Sequence, residues 1–166
     1  ILSSSSLITA DDLSLTTAAN GGAIGASGNV INTALTGTLS ASANNGNIFV
    51  TESNGLNVGA VNAGTGDVQL ASTLGGILSS SSLITADDLS LTTAANGGAI
   101  GASSNVINTI LGGALTASAN NGNIFITESN GLNVGAVNAG TGDVQLAATL
   151  GNILSNSSLI TADDLS

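Results

Sequence analysis

The side chains of this chain that could do chemistry are either acidic or hydroxyl-bearing. The chain contains ten Asp and Glu residues but no Lys, Arg, His or Cys. Without His, Cys or Lys it cannot build a Ser-His or Cys-His nucleophile, a zinc cluster or a Schiff base. Without basic residues it cannot neutralise phosphate, so we expect no nucleic-acid partner. We therefore predict that the chain is not an enzyme, has no catalytic residues and needs no cofactor.

The aspartates gain meaning when the sequence is aligned with itself. Aligning "DVQL" with "DLSL" places Asp67 and Asp88 in one column on successive turns of a repeat, and places Asp143 with Asp164 in the same way. Two carboxylates about 5 Å apart repel each other by roughly 1 kcal/mol in water. A calcium ion could bridge each pair, with the neighbouring aspartate and backbone carbonyls completing its oxygen shell. The favoured interpretation is that both carboxylates are exposed and screened by dissolved ions, so we predict no metal site.

Other polar motifs indicate turns rather than sites. The serine run 79–82 has no base nearby, so we expect hydroxyl-bearing turn residues and not a nucleophile. Asn156 begins a sequon for N-glycosylation, which a single match can produce by chance. Thr16, Ser42 and Thr92 do not form the regular threonine ladder that an ice-binding face would need.

The elements that position these residues are repeats. The phrase "ILSSSSLITADDLS" begins at Ile1, returns unchanged at Ile77, and appears again from Ile153 with Asn156 in place of Ser4. The repeat units are therefore 1–76 and 77–152, which differ at eight positions, followed by a partial unit 153–166. Near-verbatim duplication indicates an array, and we interpret 1–166 as one segment of it and not as several domains.

Each unit contains short apolar segments separated by Gly, Asn and Ser. Leu13-Ser14-Leu15 and Val68-Gln69-Leu70 alternate apolar and polar residues with the period of a β-strand. Gly and Asn suit the tight turns between strands. We predict an all-β, right-handed parallel β-helix (β-solenoid) with about three strands per coil and three coils per 76-residue repeat.

This prediction can be stated residue by residue. The predicted interior stacks are Leu7, Val30, Leu56 and Leu83; then Leu15, Ala41, Leu70 and Leu91; then Ile24, Ile48 and Ile77, with Ser14, Ser40 and Gln69 pointing outward. The alternative is a low-complexity chain that does not fold. The mean hydropathy of +0.47 argues against disorder.

The phrases "LITADDLSLTTAANGGAIG" and "GDVQLASTLGGILSSSSLITADDLSL" resemble the repeats of filamentous haemagglutinin-type exoproteins, the giant bacterial adhesins of two-partner secretion. The resemblance extends over the whole chain, and its motifs are structural rather than catalytic. It implies a right-handed parallel β-helix, an extracellular or bacterial cell-surface location, and a role in adhesion, biofilm or contact between cells.

Composition, repeats and resemblance together favour a structural segment of a long extracellular filament or adhesin shaft, acting as a stiff, protease-resistant spacer. The alternative is a self-assembling amyloid-like or sheath fibre whose copies stack end to end. A polysaccharide-processing β-helix enzyme is less favoured, because the carboxylates recur in identical copies instead of forming one asymmetric cleft. The expected partner is the same repeat, as a covalent continuation or another copy, together with cell-surface or matrix components.

The two ends of the chain raise a further expectation. No apolar run reaches the roughly 18 residues that a membrane span needs. The segments 1–14 and 153–166 read as ordinary repeat, without proline or a charged blocking residue. Since an exposed terminal coil can pair with another chain, we expect continuous filaments with an axial superperiod of three coils, about 14 Å.

Overall fold

The structure is a computed structural model, and it describes residues 1–2, 6–155 and 158–166. Within those residues the chain forms strands and turns without any helix, and the strands of each sheet pair in parallel. The strands belong to two sheets, which the chain visits alternately. The predicted all-β solenoid is thereby confirmed.

The strands of the two sheets follow the chain in alternation. The first sheet contains β1 (Leu7–Ala10), β3 (Ile31–Leu35), β5 (Ile48–Glu52), β7 (Val68–Ser72), β10 (Leu89–Thr93), β12 (Ala114–Ala119) and β14 (Leu132–Asn138), with β16 (Ile153–Ser155) and β17 (Ile160–Thr161) both pairing with β14. The second sheet contains β2 (Leu13–Thr17), β4 (Thr38–Ala43), β6 (Leu56–Asn62), β8 (Ile77–Ser79) and β9 (Leu83–Ala86) both pairing with β6, then β11 (Ile107–Leu111), β13 (Ile124–Glu128) and β15 (Val144–Ala148).

Each coil of the solenoid is flattened, with one strand segment in each sheet. Partners in neighbouring strands are 19 to 26 residues apart, from Asn32 with Thr51 to Thr92 with Ser118. The described residues make about seven coils. The predicted three strands per coil is wrong in this respect, because two walls are enough to close a coil of this length.

The number of coils per repeat also differs from the prediction. Counting β8 with β9 as one segment, each 76-residue unit contributes seven strand segments, and two segments make a coil. A unit is therefore three and a half coils and not three. As a result β5 lies in the first sheet, whereas β13, its counterpart 76 residues later, lies in the second.

The segment around Ile24, which was predicted to be a third strand of the coil, belongs to the first sheet. Ile24 forms a parallel bridge with Ile48, and Ile31 pairs with Val50, so both lie along the same strand β5. A tight turn, in which Ala26 and Asn29 bridge each other, separates the two contacts. The sequence contains two apolar segments here, but they form one interrupted wall.

The core between the sheets is made of aliphatic side chains. Ile24, Ile48 and Ile77 are fully buried, as predicted, but Ile77 stacks on Leu56 in the second sheet and not on Ile48. Ser14 and Gln69 are exposed and Ser40 is half-exposed, which confirms their outward orientation.

The second predicted stack divides between the sheets. Leu15 pairs with Ala41 in the second sheet, and Leu70 pairs with Leu91 in the first. The neighbours within each pair were therefore predicted correctly. The four residues do not form one column, because the first pair lies in the second sheet and the second pair lies in the first sheet.

The remaining predicted stack is wrong in phase. Leu7 and Leu83 are 57% and 37% exposed, whereas Ile84 is buried and Ile8 packs against the core. Val30 is only half-buried, so Leu56 alone behaves as expected. In "LIT" two apolar residues are adjacent, and a shift of one residue moves every side chain of a strand to the other face.

Glycines allow successive coils to approach closely at the edges. A Cβ at Gly46 would lie 2.4 Å from the carbonyl oxygen of Gly22, and one at Gly66 would lie 2.5 Å from the carbonyl carbon of Gly46. Real side chains essentially never approach backbone atoms so closely. This column therefore requires residues without a Cβ, because the coils stack backbone on backbone at this edge.

Candidate functional site

The predicted aspartate columns exist. Val68 pairs with Leu89, which puts the preceding residues Asp67 and Asp88 on successive coils at one edge of the solenoid. The backbone N–H of Asp88 lies 3.4 Å from Oδ1 of Asp67. Asp143 and Asp164 are related in the same way through the bridge between Val144 and Leu165, but at the opposite edge, because the second unit is displaced by half a coil.

The carboxylates of the first column accept hydrogen bonds from the chain itself. Oδ2 of Asp67 accepts from Nδ2 of Asn47 at 3.3 Å, and Oδ1 of Asp88 accepts from the backbone N–H of Ala114 at 2.7 Å. Together with the contact between Asp67 and Asp88, these hydrogen bonds join four successive coils. Their geometry serves edge packing, and calcium bridging of the pair stays a hypothesis.

The structure also contains a buried carboxylate that the sequence reasoning missed. Glu52, the last residue of β5, is fully buried. Its Oε2 accepts from the Thr33 hydroxyl at 2.6 Å, and its Oε1 accepts from the backbone N–H groups of Leu35 at 3.0 Å and Asn54 at 3.1 Å. Both oxygens accept, as those of an ionised carboxylate do. Glu52 thus holds together the ends of two adjacent coils.

The same arrangement recurs in the second unit. Glu128 is fully buried, and its carboxylate accepts from Thr109 at 2.6 Å and from the N–H of Leu111 at 3.1 Å. A signal for it was present in the sequence. In "IFVTE" the residues Ile48, Val50 and Glu52 alternate with the strand period, so Glu52 belongs on the inward side.

The other polar residues considered from the sequence have structural partners or positions. Within the run 79–82, Oγ of Ser80 donates to the carbonyl of Val58, and the N–H of Ser82 donates to Oγ of Ser79, as expected of a turn. Thr16 pairs with Ser42 in the second sheet, whereas Thr92 lies in the first. The sequon at Asn156 lies outside the described residues.

The surface of the described residues carries shallow grooves. One groove of about 250 Å³ runs along the first sheet, and its polar and aromatic lining includes Phe49, Asp67, Gln69, Asp88 and Thr116. Phe49 and its counterpart Phe125 are the chain's aromatic residues, and both are half-buried on the outward side of their strands. The hydrophobic core of the described residues therefore contains no aromatic side chain.

Neither a metal cluster nor a membrane-spanning helix is found in the parts of the chain that the structure describes. Groups of three or more acidic side chains suited to a metal ion are absent from those residues. No helix there has the length and apolar character to cross a bilayer. Every buried side-chain nitrogen and oxygen in the described ranges has a hydrogen-bond partner.

Comparisons with known proteins returned no match. No protein-family model, no curated protein and no solved structure matches this chain.

Proposed function

We propose that this chain is a structural segment of a long filament, which acts as a stiff spacer built from tandem 76-residue units. The observation that carries the proposal is the junction between units. Strand β7 of the first unit pairs with β10 of the second over five consecutive residues, from Val68 with Leu89 to Ser72 with Thr93. Pairing across the junction is as complete as pairing within a unit, so tandem units make one rod and not a string of beads.

The surroundings of the backbone suit such a role. The strands of successive coils pair in parallel along the whole described rod, and the core between them is aliphatic. The chain has no Lys or Arg and hence no trypsin site. The resemblance to filamentous haemagglutinin-type repeats supports an extracellular or bacterial cell-surface location, with attachment of cells to one another or to a matrix as the purpose.

The experiment is to lengthen the rod by whole units. One or more extra copies of residues 77–152 are inserted after residue 152, and the maximum dimension is measured by small-angle X-ray scattering. We expect about 17 Å per added unit, since three and a half coils at about 4.8 Å each give that length. A control array with a long Gly-Ser linker at every junction should lengthen only as the square root of the number of units. If the uninterrupted array follows the control, the spacer proposal fails.

A second candidate is a fibre whose separate copies add end to end. It is favoured by the pairing of the repeated segment that begins at Ile77 and again at Ile153. Strand β8 pairs with β6 at the first position, and β16 pairs with β14 in the same register at the second. The same phrase from another copy carries the same residues. Growth of the maximum dimension with protein concentration, at constant chain length, would support this candidate over the covalent spacer.

A further inference from the structure

In the part of the chain that the structure describes, the outward strand positions of the two sheets carry no ionisable side chain. Among the ten acidic residues, the eight aspartates lie in the turns at the edges of the solenoid, and Glu52 and Glu128 point into the core. The outward strand positions hold mainly Ser, Thr, Asn, Gln and Ala. With a formal charge of −10 and no cation in the chain, these faces are where two copies can meet without bringing carboxylates together.

The second face, which is the outward side of the second sheet, also carries exposed apolar side chains near its centre. Leu78, Leu83 and Ile110 are 42%, 37% and 38% exposed and are here called the apolar row. Leu83 pairs with Asn108, so that Ile110 lies diagonally next to it on the following coil. Diagonal neighbours of this kind are about 7–8 Å apart, within reach of long side chains.

The half-coil offset places the counterpart of this row on the opposite face. Leu154 and Leu159 are the repeat equivalents of Leu78 and Leu83, and they are 56% and 73% exposed. Leu154 pairs with Asn133 in the first sheet, not in the second. Successive units of an array therefore present the row alternately on the two faces of the rod.

We propose that the second face binds a second copy of this chain, with the two rods packed face to face and the apolar rows in contact across a two-fold axis. The charged edges remain in water on both sides of the contact. If the chain is part of a tandem array, as proposed above for its function, the rows alternate between the two faces. Rods then associate through both faces and build layers. If each unit were a whole number of coils, every apolar row would lie on the same face of the rod. Rods could then associate only in pairs.

The area of the face is consistent with weak pairing of this segment and firm pairing of longer ones. A five-residue strand is about 17 Å wide and seven coils are about 34 Å long, so the pair would bury roughly 1,100 Å² in total. Specific interfaces begin near 1,200 Å². Each further unit adds about 17 Å of length, and affinity rises with the number of units without any new kind of contact.

Partners of other chemistry fit this face less well. Nucleic acid and anionic polymers would be repelled by the edges on either side of it. A cationic partner would be drawn to the aspartates at the edges and away from the uncharged face. Another copy presents an equally flat, uncharged surface with the same spacing between strands.

The test is sedimentation velocity of the 166-residue chain over a range of protein concentrations, at low and at high salt. We expect a monomer-dimer equilibrium that high salt strengthens, because salt screens the edge carboxylates. In the double variant Leu83→Glu with Ile110→Glu the dissociation constant should rise at least tenfold. The matched control, Ala94→Glu with Thr141→Glu, adds the same charge at exposed turn positions that follow strands of the first sheet, and it should dimerise nearly as well as the parent chain.

Two further measurements keep the outcome unambiguous. If the Glu variant loses its β-sheet circular dichroism signal, Leu83→Ser with Ile110→Ala replaces it, since Ala already occupies the equivalent position 34.

Scattering of the dimer should show a maximum dimension close to that of the monomer, because the rods lie side by side. A doubled dimension would indicate end-to-end stacking and overturn the face-to-face model. A chain that stays monomeric at millimolar concentration, equal loss in both double variants, or association with polylysine alone would also overturn it. Rod lengthening by added units is measured separately, so the spacer proposal can stand or fall independently.

Discussion

The buried carboxylate of Glu52 offers the sharpest test of how the coils are held together. In Glu52→Ala the backbone N–H groups of Leu35 and Asn54 lose their acceptor, and the Thr33 hydroxyl keeps only a long contact of 3.4 Å to the Thr51 carbonyl. Each buried donor left without a partner costs about 1–3 kcal/mol. Removing the uncompensated charge offsets part of this, so we expect a net loss of about 3 kcal/mol.

The Gln variant separates hydrogen bonding from charge. Glu52→Gln keeps the shape and leaves one oxygen to accept from both N–H groups, while the Thr33 hydroxyl can rotate to accept from the new amide. We expect it to cost about 1 kcal/mol, roughly the net worth of one hydrogen bond. A Gln variant as unstable as the Ala variant would show that the charge matters more than the hydrogen-bond geometry.

The assay is guanidinium unfolding followed by circular dichroism. The free energy of unfolding is compared between the parent chain, the two variants and Thr51→Ala, which alters an outward-facing neighbour on the same strand. Glu128→Ala provides a replicate in the opposite sheet and should lose a similar amount, since its contacts are the same. If Glu52→Ala costs less than 1 kcal/mol, the coil-joining role inferred from the structure is wrong.

Three further predictions concern the edges and the axis of the rod. Gly46→Ala should destabilise the chain by several kcal/mol because its Cβ would meet the Gly22 carbonyl, whereas Gly28→Ala, with no atom within 4 Å, should change little; a thermal melt compares them. If calcium bridges the aspartate column, chelator should lower the melting temperature of the parent chain but not of Asp67→Asn with Asp88→Asn, and melting indifferent to millimolar calcium would favour the screened carboxylates. Aligned filaments should diffract at about 4.8 Å along the axis, with a superperiod of about 17 Å per unit, or about 34 Å for two units that face the same way, instead of the 14 Å expected from three coils.

Several features of the fold could be predicted from the residues alone. The 76-residue duplication and the short alternating segments together require a structure in which equivalent strands stack, and that is a solenoid. The isoleucine that ends each Gly-rich turn phrase was placed correctly. Ile24, Ile48 and Ile77 point inward, and Asp67 lies next to Asp88, because both relations depend only on local alternation and on aligning one strand with its successor.

The tertiary structure decided what depends on closure of the coil. Whether a unit makes three coils or three and a half depends on which segments share a wall, and Ile24 and Ile31 share one only because a turn of four residues returns the chain to the same strand. The phase of "LIT" is likewise set by pairing with neighbouring coils, since two adjacent apolar residues leave the alternation ambiguous. The alternation of "IFVTE" indicates that Glu52 points inward. Its burial also requires hydrogen-bond donors from the preceding coil, and only the packing of the two coils places those donors at its carboxylate.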